Sequence, residues 1–163
     1  METLFAPPDQ EWHPISPSYK AYDRLGHAVW WILLSTVPAV IVGLTSGLWW
    51  ISAIIWAAGL AVLVSQLILV ERRWRAWGYA LRNEDLYITH GVMFRKLTAV
   101  PYGRMQVVEV TSGPIMRMFN LATVKLVTAS AQTDAQIVGL PPERAAELRD
   151  QLTSLGESQA SGL

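Results

Sequence analysis

Polar and apolar positions fall into three regimes along this chain. Over residues 25–70 no Asp, Glu, Lys or Arg occurs, and nearly every side chain is apolar or small. A helix needs about 20 apolar residues to cross roughly 30 Å of hydrocarbon, so this stretch predicts two transmembrane helices joined by a short turn. The turn-permissive residues Thr45-Ser46-Gly47 divide it into helices at 25–44 and 48–70. Trp30 and Trp31 near one end and Trp49 and Trp50 after the turn suit the two membrane interfaces, where an indole is half apolar and half polar. Pro38 lies mid-span and predicts a kink. Gly43, Gly47, Gly59, Ala53, Ala57, Ala58 and Ala61 are small enough to let the two backbones approach.

The flanking regions read differently. Residues 1–24 show no sustained period and carry Pro7, Pro8, Pro14 and Pro17, which predicts an extended, mostly solvated N-terminal tail. Their acidic and proline-containing character is unlike a cleavable signal peptide, so the first helix is expected to serve as its own insertion signal. After Glu71-Arg72-Arg73-Trp74-Arg75 the period shortens to two, with turn residues between the runs. Strands are predicted at 77–82, 85–89, 95–101, 105–111, 122–129 and 136–140, with a helical turn or compact loop at 113–119. Pro141-Pro142-Glu143 is a helix-start signal, and Ala145, Leu148, Leu152 and Leu155 then recur on one face. The architecture predicted is α+β: a two-helix membrane hairpin, then an antiparallel β domain at 71–155 capped by a C-terminal helix, then a flexible tail at 156–163.

Composition sharpens this picture. The 163 residues are 52% hydrophobic and only 16% charged, and a chain of this size offers no protein layer thick enough to wrap so long an uncharged stretch. The formal net charge of zero hides a basic segment over 72–125 and an acidic one after it. Lys20 and Arg24 precede the first helix, Arg72, Arg73 and Arg75 follow the second, and the turn has no charge. The positive-inside rule therefore predicts that both termini face the cytoplasm. There is no cysteine, which removes thiol catalysis, disulfides and thiolate metal sites.

A search for chemistry returns little. His13, His27 and His90 lie in the tail, at the membrane edge and in a predicted turn, with no spacing that converges on a metal. Glu84-Asp85 sits in a tight turn, and no phosphate-binding glycine loop or nucleophile motif occurs. Two basic groups have functional potential. Arg72, Arg73, Trp74, Arg75 and Trp77 emerge where the bilayer surface lies and are membrane-interface candidates, although basic residues also cluster there for topology alone. Met93, Phe94, Arg95, Lys96 and Arg104 combine apolar and cationic character and are candidates for lipid or partner binding.

Several motifs occur in a fixed order after the hairpin: Tyr79-Ala80-Leu81-Arg82, Asp85-Leu86-Tyr87-Ile88-Thr89, His90-Gly91, and Val100-Pro101-Tyr102-Gly103-Arg104-Met105-Gln106-Val107-Val108. Met118-Phe119-Asn120-Leu121-Ala122-Thr123 and Leu140-Pro141-Pro142-Glu143 follow. In this order the chain resembles the bacterial PH-like domain membrane proteins of the YdbS-like family over about residues 25–152. The resemblance implies a pleckstrin-homology-like fold, a strongly bent antiparallel sheet closed at one end by the C-terminal helix, in a prokaryotic inner (cytoplasmic) membrane. It supplies no reaction. Phosphoinositide-binding PH domains use a long basic loop between their first two strands. The corresponding connection is expected here at Arg82-Asn83-Glu84-Asp85, which argues against tight phosphoinositide recognition. The function expected is a non-enzymatic module without cofactor that assembles protein partners, other PH-like proteins or its own copies at the cytoplasmic membrane face. The alternative is recognition of anionic membrane lipid; nucleic acid is not an expected partner.

Overall fold

The computed structural model describes residues 11–128 and 135–161. Within them the chain forms two compact units: Lys20–Arg72, and a second made of residues 11–19 with 73–161. In order, the elements are β1 (His13–Pro14), α1 (Ser18–Ser46), α2 (Trp49–Arg75), β2 (Gly78–Leu81), β3 (Asp85–His90), β4 (Lys96–Pro101), β5 (Met105–Thr111), α3 (Pro114–Met118), β6 (Ala122–Thr128), β7 (Ala135–Leu140) and α4 (Pro142–Ser161), with one 3-10 turn at Tyr102–Arg104.

The first unit is a helical hairpin that turns at Gly47-Leu48, where small residues interrupt the apolar run. Both helices outrun the uncharged stretch, because a helix continues wherever its backbone bonds are satisfied, irrespective of where hydrocarbon ends. Lys20 and Glu71, outside the apolar stretch at the open end of the hairpin, form an ion pair of 3.3 Å. Ser35, Ala39 and Gly43 are the buried residues of α1, spaced by four and so on one face. Gly59 and Ser52 of α2 face them: a Cβ at Gly59 would overlap the Ser35 side chain, and one at Gly43 would lie 3.1 Å from Ser52 Oγ. The remaining surface is large and apolar, with Leu33, Ile41, Leu60 and Ile68 all exposed. Only 17% of the most apolar stretch of α1 and 11% of that of α2 is buried, the opposite of a soluble core helix and the pattern that lipid requires.

The second unit is a sandwich of two antiparallel sheets, ordered β1-β2-β3-β4 and β5-β6-β7. Leu86 and Ile88 of β3, Val124 and Leu126 of β6, and Ile137 and Leu140 of β7 form its core, which α4 covers with Ala145, Leu148 and Leu152. Buried Tyr102 donates its hydroxyl to the carbonyl of Arg82 at 2.8 Å, fastening the 3-10 turn to the β2–β3 turn.

Three expectations are corrected here. The N-terminal segment is not simply a solvated tail: residues 1–10 lie outside the described residues, but β1 pairs with β2 (His13 with Tyr79, Pro14 with Gly78) and Ile15 is 1% exposed within the core. The Ser16 N–H donates to Gly139 O at 2.8 Å, and the Trp74 indole N–H lies 3.2 Å from the carbonyls of both Ile15 and Ser16. A Cβ at Gly139 would come within 2.6 Å of the Tyr19 ring, so glycine is what admits that ring. Consequently the hairpin is inserted between the first and second strands of the sandwich. The expected first connection, Arg82-Asn83-Glu84-Asp85, is the second, so its shortness says nothing about the first. The C-terminal tail is not loose either. Helix α4 runs through Ser161, and Gln159 Oε1 accepts a hydrogen bond from the Gly103 N–H at 3.2 Å. Residues 162–163 lie outside the described residues.

Candidate functional site

The register of the first sheet brings several chain ends together. Pro14 of β1 stands opposite Gly78, Gly78 opposite Thr89, Thr89 opposite Leu97 and His90 opposite Lys96. The end of β1, the start of β2, the end of β3 and the start of β4 therefore share one end of the sheet. From this end the chain departs into α1, beginning at Ser18, and to it the chain returns from α2, ending at Arg75.

The β3–β4 connection projects from the same end. Gly91 has φ of +98° and a Cβ there would strike the Phe94 carbonyl, so only glycine permits so tight a tip. Met93 and Phe94 are each 88% exposed, and Arg95 and Lys96 follow them, also exposed. Large apolar side chains this open on a rigid turn are unfavourable in water, by roughly 1.5–3 kcal/mol each relative to burial. Arg104 does not belong with them. It sits in the 3-10 turn beyond Pro101, at the other end of β4, about 16 Å of strand away at 3.3 Å per residue.

The junction candidates separate as well. Arg72 and Arg75 are exposed and Arg73 is half-buried. Trp74 and Trp77 pack against the core of the sandwich. The indole N–H of Trp74 is already bonded to backbone carbonyls of the N-terminal segment, so it is not offered to lipid headgroups. Trp77 stacks on His90 with ring centroids 4.9 Å apart. A tryptophan packed on the protein core and one waiting for an interface are indistinguishable in sequence.

His90 is the final residue of β3, not part of a turn. It continues the core-facing row Leu86, Ile88, His90, just as Val100, Thr98 and Lys96 form the facing row of β4 with its polar members at the same end. Here the sandwich opens into a groove of about 350 Å³ lined by Trp77, Ile88, His90, Lys96, Thr98, Lys125, Ala135 and Gln136. Burial, and secondarily the charge of Lys96, push the His90 pKa below its ordinary value. The folded state thus favours neutral imidazole. The stability this contributes is complete above the unfolded value of about 6.5 and is lost as pH falls through the folded one. Thermal melts between about pH 7.5 and 5 should show a steeper loss for the parent than for His90→Gln. Equal slopes in the two proteins would remove His90 from this account.

The second cavity, about 470 Å³, is lined only by consecutive residues of the β2–β3 turn, Leu81, Arg82, Asn83, Glu84 and Asp85, and brings no distant groups together. Among the described residues no three His, Asp or Glu side chains are placed to hold a metal ion.

Comparison with known proteins agrees with this architecture. A family model described as "Bacterial PH domain" matches residues 28–155. The chain is also 33% identical over 108 residues to the UPF0699 transmembrane protein YdbS of Bacillus subtilis (strain 168), an alignment covering 66% of this chain and 67% of that one. No solved structure matches. With two long apolar helices inserted ahead of β2 and a sandwich closed by α4, and with a family match over most of its length, the chain is a transmembrane protein belonging to the bacterial PH domain family.

Proposed function

We propose that this protein is a non-enzymatic module of the cytoplasmic membrane whose PH-like domain engages the anionic membrane surface through the β3–β4 tip. One observation carries the reading: Met93 and Phe94, each 88% exposed and followed by two basic residues, stand at the sheet end from which the chain enters α1 and returns from α2. An apolar tip can enter the headgroup region while Arg95 and Lys96 meet anionic lipid, at about 1 kcal/mol per basic residue. The native chain has no cysteine, so Met93→Cys gives a single labelling position. A fluorophore placed there in the full-length protein should be quenched by lipid-borne nitroxides in anionic bilayers, and less so after Arg95→Gln with Lys96→Gln. Absence of quenching in anionic bilayers would overturn the reading.

The assembly function expected from sequence is supported by a different surface. Ile115 and Met118, three residues apart on α3, are 54% and 82% exposed. A photo-crosslinking residue at Met118 should then capture a second copy or another PH-like protein in membranes. Only uncoupled monomer would count against assembly through this surface.

Both proposals place the sandwich in the cytoplasm, as supported by Lys20 and Arg24 before the apolar stretch, Arg72, Arg73 and Arg75 after it, and an uncharged turn. In intact cells a membrane-impermeant maleimide should label Ser46→Cys directly and Ser154→Cys only after permeabilisation. The reverse order would invert the topology.

A further inference from the structure

We infer that the free edge of β5 joins two copies of this chain, β5 of one pairing antiparallel with β5 of the other about a twofold axis at Val107. This contact rests on the assembly reading above and gives it a partner and a surface. β5 leads through Ser112 and Gly113 into α3, which carries the exposed Ile115 and Met118.

β5 stands at the edge of its sheet, and among the described residues β6 is its one partner strand. An edge presents unpaired N–H and C=O groups to any other strand, and proteins blunt such edges with Pro, Lys, brevity or a bulge. The other edges here are blunted in the first three ways or are bonded. β1 has two residues, one of them Pro14; β4 runs from Lys96 to Pro101; and Gly139 O of β7 accepts the Ser16 N–H. β5 has seven residues, three of them valines, and no Pro or Lys. Its inward row, Met105, Val108 and Val110, packs on the core yet is only half-buried, and Val107 on the outer face is 47% exposed. A strand added along this edge covers both.

The one guard β5 carries is a bulge, and the bulge decides the partner. Met105 stands opposite Thr128 and Val107 opposite Val127, so Gln106 is an extra residue. Met105 and Val108 therefore share the inward face, while Val107 and Glu109 share the outer one. Arg104, exposed and immediately before Met105, falls on the outer face by the same alternation. With the two Val107 residues facing each other, Arg104 stands opposite Glu109 of the second copy and Met105 opposite Val108 of the second copy. Symmetry repeats each pair, and every pair matches outward with outward or inward with inward. Opposite charges across a ladder stabilise it, whereas the register that sets Glu109 against its own copy is repulsive. Among the described residues neither Arg104 nor Glu109 forms an ion pair, although Lys125 stands opposite Glu109 on β6. In the pair Glu109 lies between two cations, Lys125 of its own chain and Arg104 of the second copy. A strand with a cation and an anion at symmetry-matched positions is complementary to itself, which is what a twofold interface requires.

Because the native chain has no cysteine, cross-linking of the full-length protein in isolated membranes reads the register directly. Opposed residues of an antiparallel pair lie about 4.5–5.5 Å apart at Cα, within the span of a disulfide. Under mild oxidant, Val107→Cys should couple to its own copy at least about tenfold faster than Ser154→Cys, an exposed position on α4. Arg104→Cys and Glu109→Cys should each stay uncoupled alone and form a mixed dimer when co-expressed. Energy transfer between labelled copies in proteoliposomes measures association itself. Val107→Lys sets two ammonium groups on the axis and should weaken association by about tenfold or more, with a parent-like melt because the position is exposed. Arg104→Glu should weaken it about three- to tenfold, and adding Glu109→Arg should restore most of it. Coupling at Val107 together with the mixed dimer supports the β5 edge. Energy transfer without coupling at Val107, or association that Val107→Lys leaves unchanged, overturns it, and so does absence of energy transfer between copies. Capture by the photo-crosslinker at Met118 is read separately and decides the assembly reading, so the two failures are distinguishable.

Discussion

A fragment of residues 71–155 expressed alone is expected to show no cooperative melt, whereas the same fragment preceded by residues 11–19 through a flexible linker is expected to melt as one unit. The reason lies in what the fragment lacks. Ile15 is 1% exposed in the core, and removing a buried Ile side chain costs about 2–5 kcal/mol. Without β1, the backbone of Gly78 and Tyr79 loses its partner strand, the Trp74 indole loses both its acceptors, and the space that Gly139 leaves for Tyr19 stands open. A domain of this length has only about 4–13 kcal/mol of stability in total, so these losses consume most of it. In the linked protein, Ile15→Ala should lower the melting temperature by at least about 10 °C, at roughly 4–8 °C per kcal/mol. Identical melts with and without residues 11–19 would show that β1 is an ornament of the sandwich and not a member of it.

The dependence just described was not legible in the sequence, and the reason is length. Strands β2 to β7 each hold four or more residues, enough for alternation to register, and all six were predicted to within one or two residues over the described range. Strand β1 has two residues, one of them Pro14, and Ile15 is a lone apolar position between prolines. No periodicity can mark it; only its long-range partners do. The hairpin was legible because its signal is sustained composition. Its ends were not, since charge marks where hydrocarbon stops while the helix backbone continues to Ser18 and Arg75.

The candidate sites divide along the same line. Met93 to Lys96 are neighbours in sequence and remain neighbours at the tip, so adjacency was a sound guide. Arg104 was grouped with them by charge, and only the pairing of Asp85 with Pro101 and His90 with Lys96 shows that β4 separates them. The groove is not legible in the sequence: its lining residues come from β3, β4, β6 and β7, and Gly91 after His90 signals a turn where the strand in fact continues through His90. Its one local signal was the alternation Leu86, Ile88, His90, which places a histidine in a core-facing row.

Within the hairpin the largest single effect is expected from Gly59→Leu. Helices in lipid gain nothing from hiding apolar surface, so their association depends on close backbone approach and on van der Waals contact. At Gly59 that approach is complete, because even a Cβ would overlap the side chain of Ser35, whose hydroxyl is already held against the Trp31 carbonyl at 2.8 Å. Leucine there must push the helices apart, an overpacking cost of about 1–3 kcal/mol, or roughly 5- to 150-fold in the pairing equilibrium. The measurement uses a peptide of residues 18–76 in bilayers, with pyrene on Ala21→Cys and Arg72→Cys beside the Lys20–Glu71 ion pair. Parent peptide should give strong excimer emission and Gly59→Leu little. Gly59→Ala should fall between them and recover when combined with Ser35→Gly, which removes the atoms the new methyl meets. Recovery of that kind assigns the loss to this contact instead of to helix propensity, because a second glycine by itself would weaken the helix by about 1 kcal/mol. Unchanged excimer emission in Gly59→Leu would mean that the helices do not pair through this face.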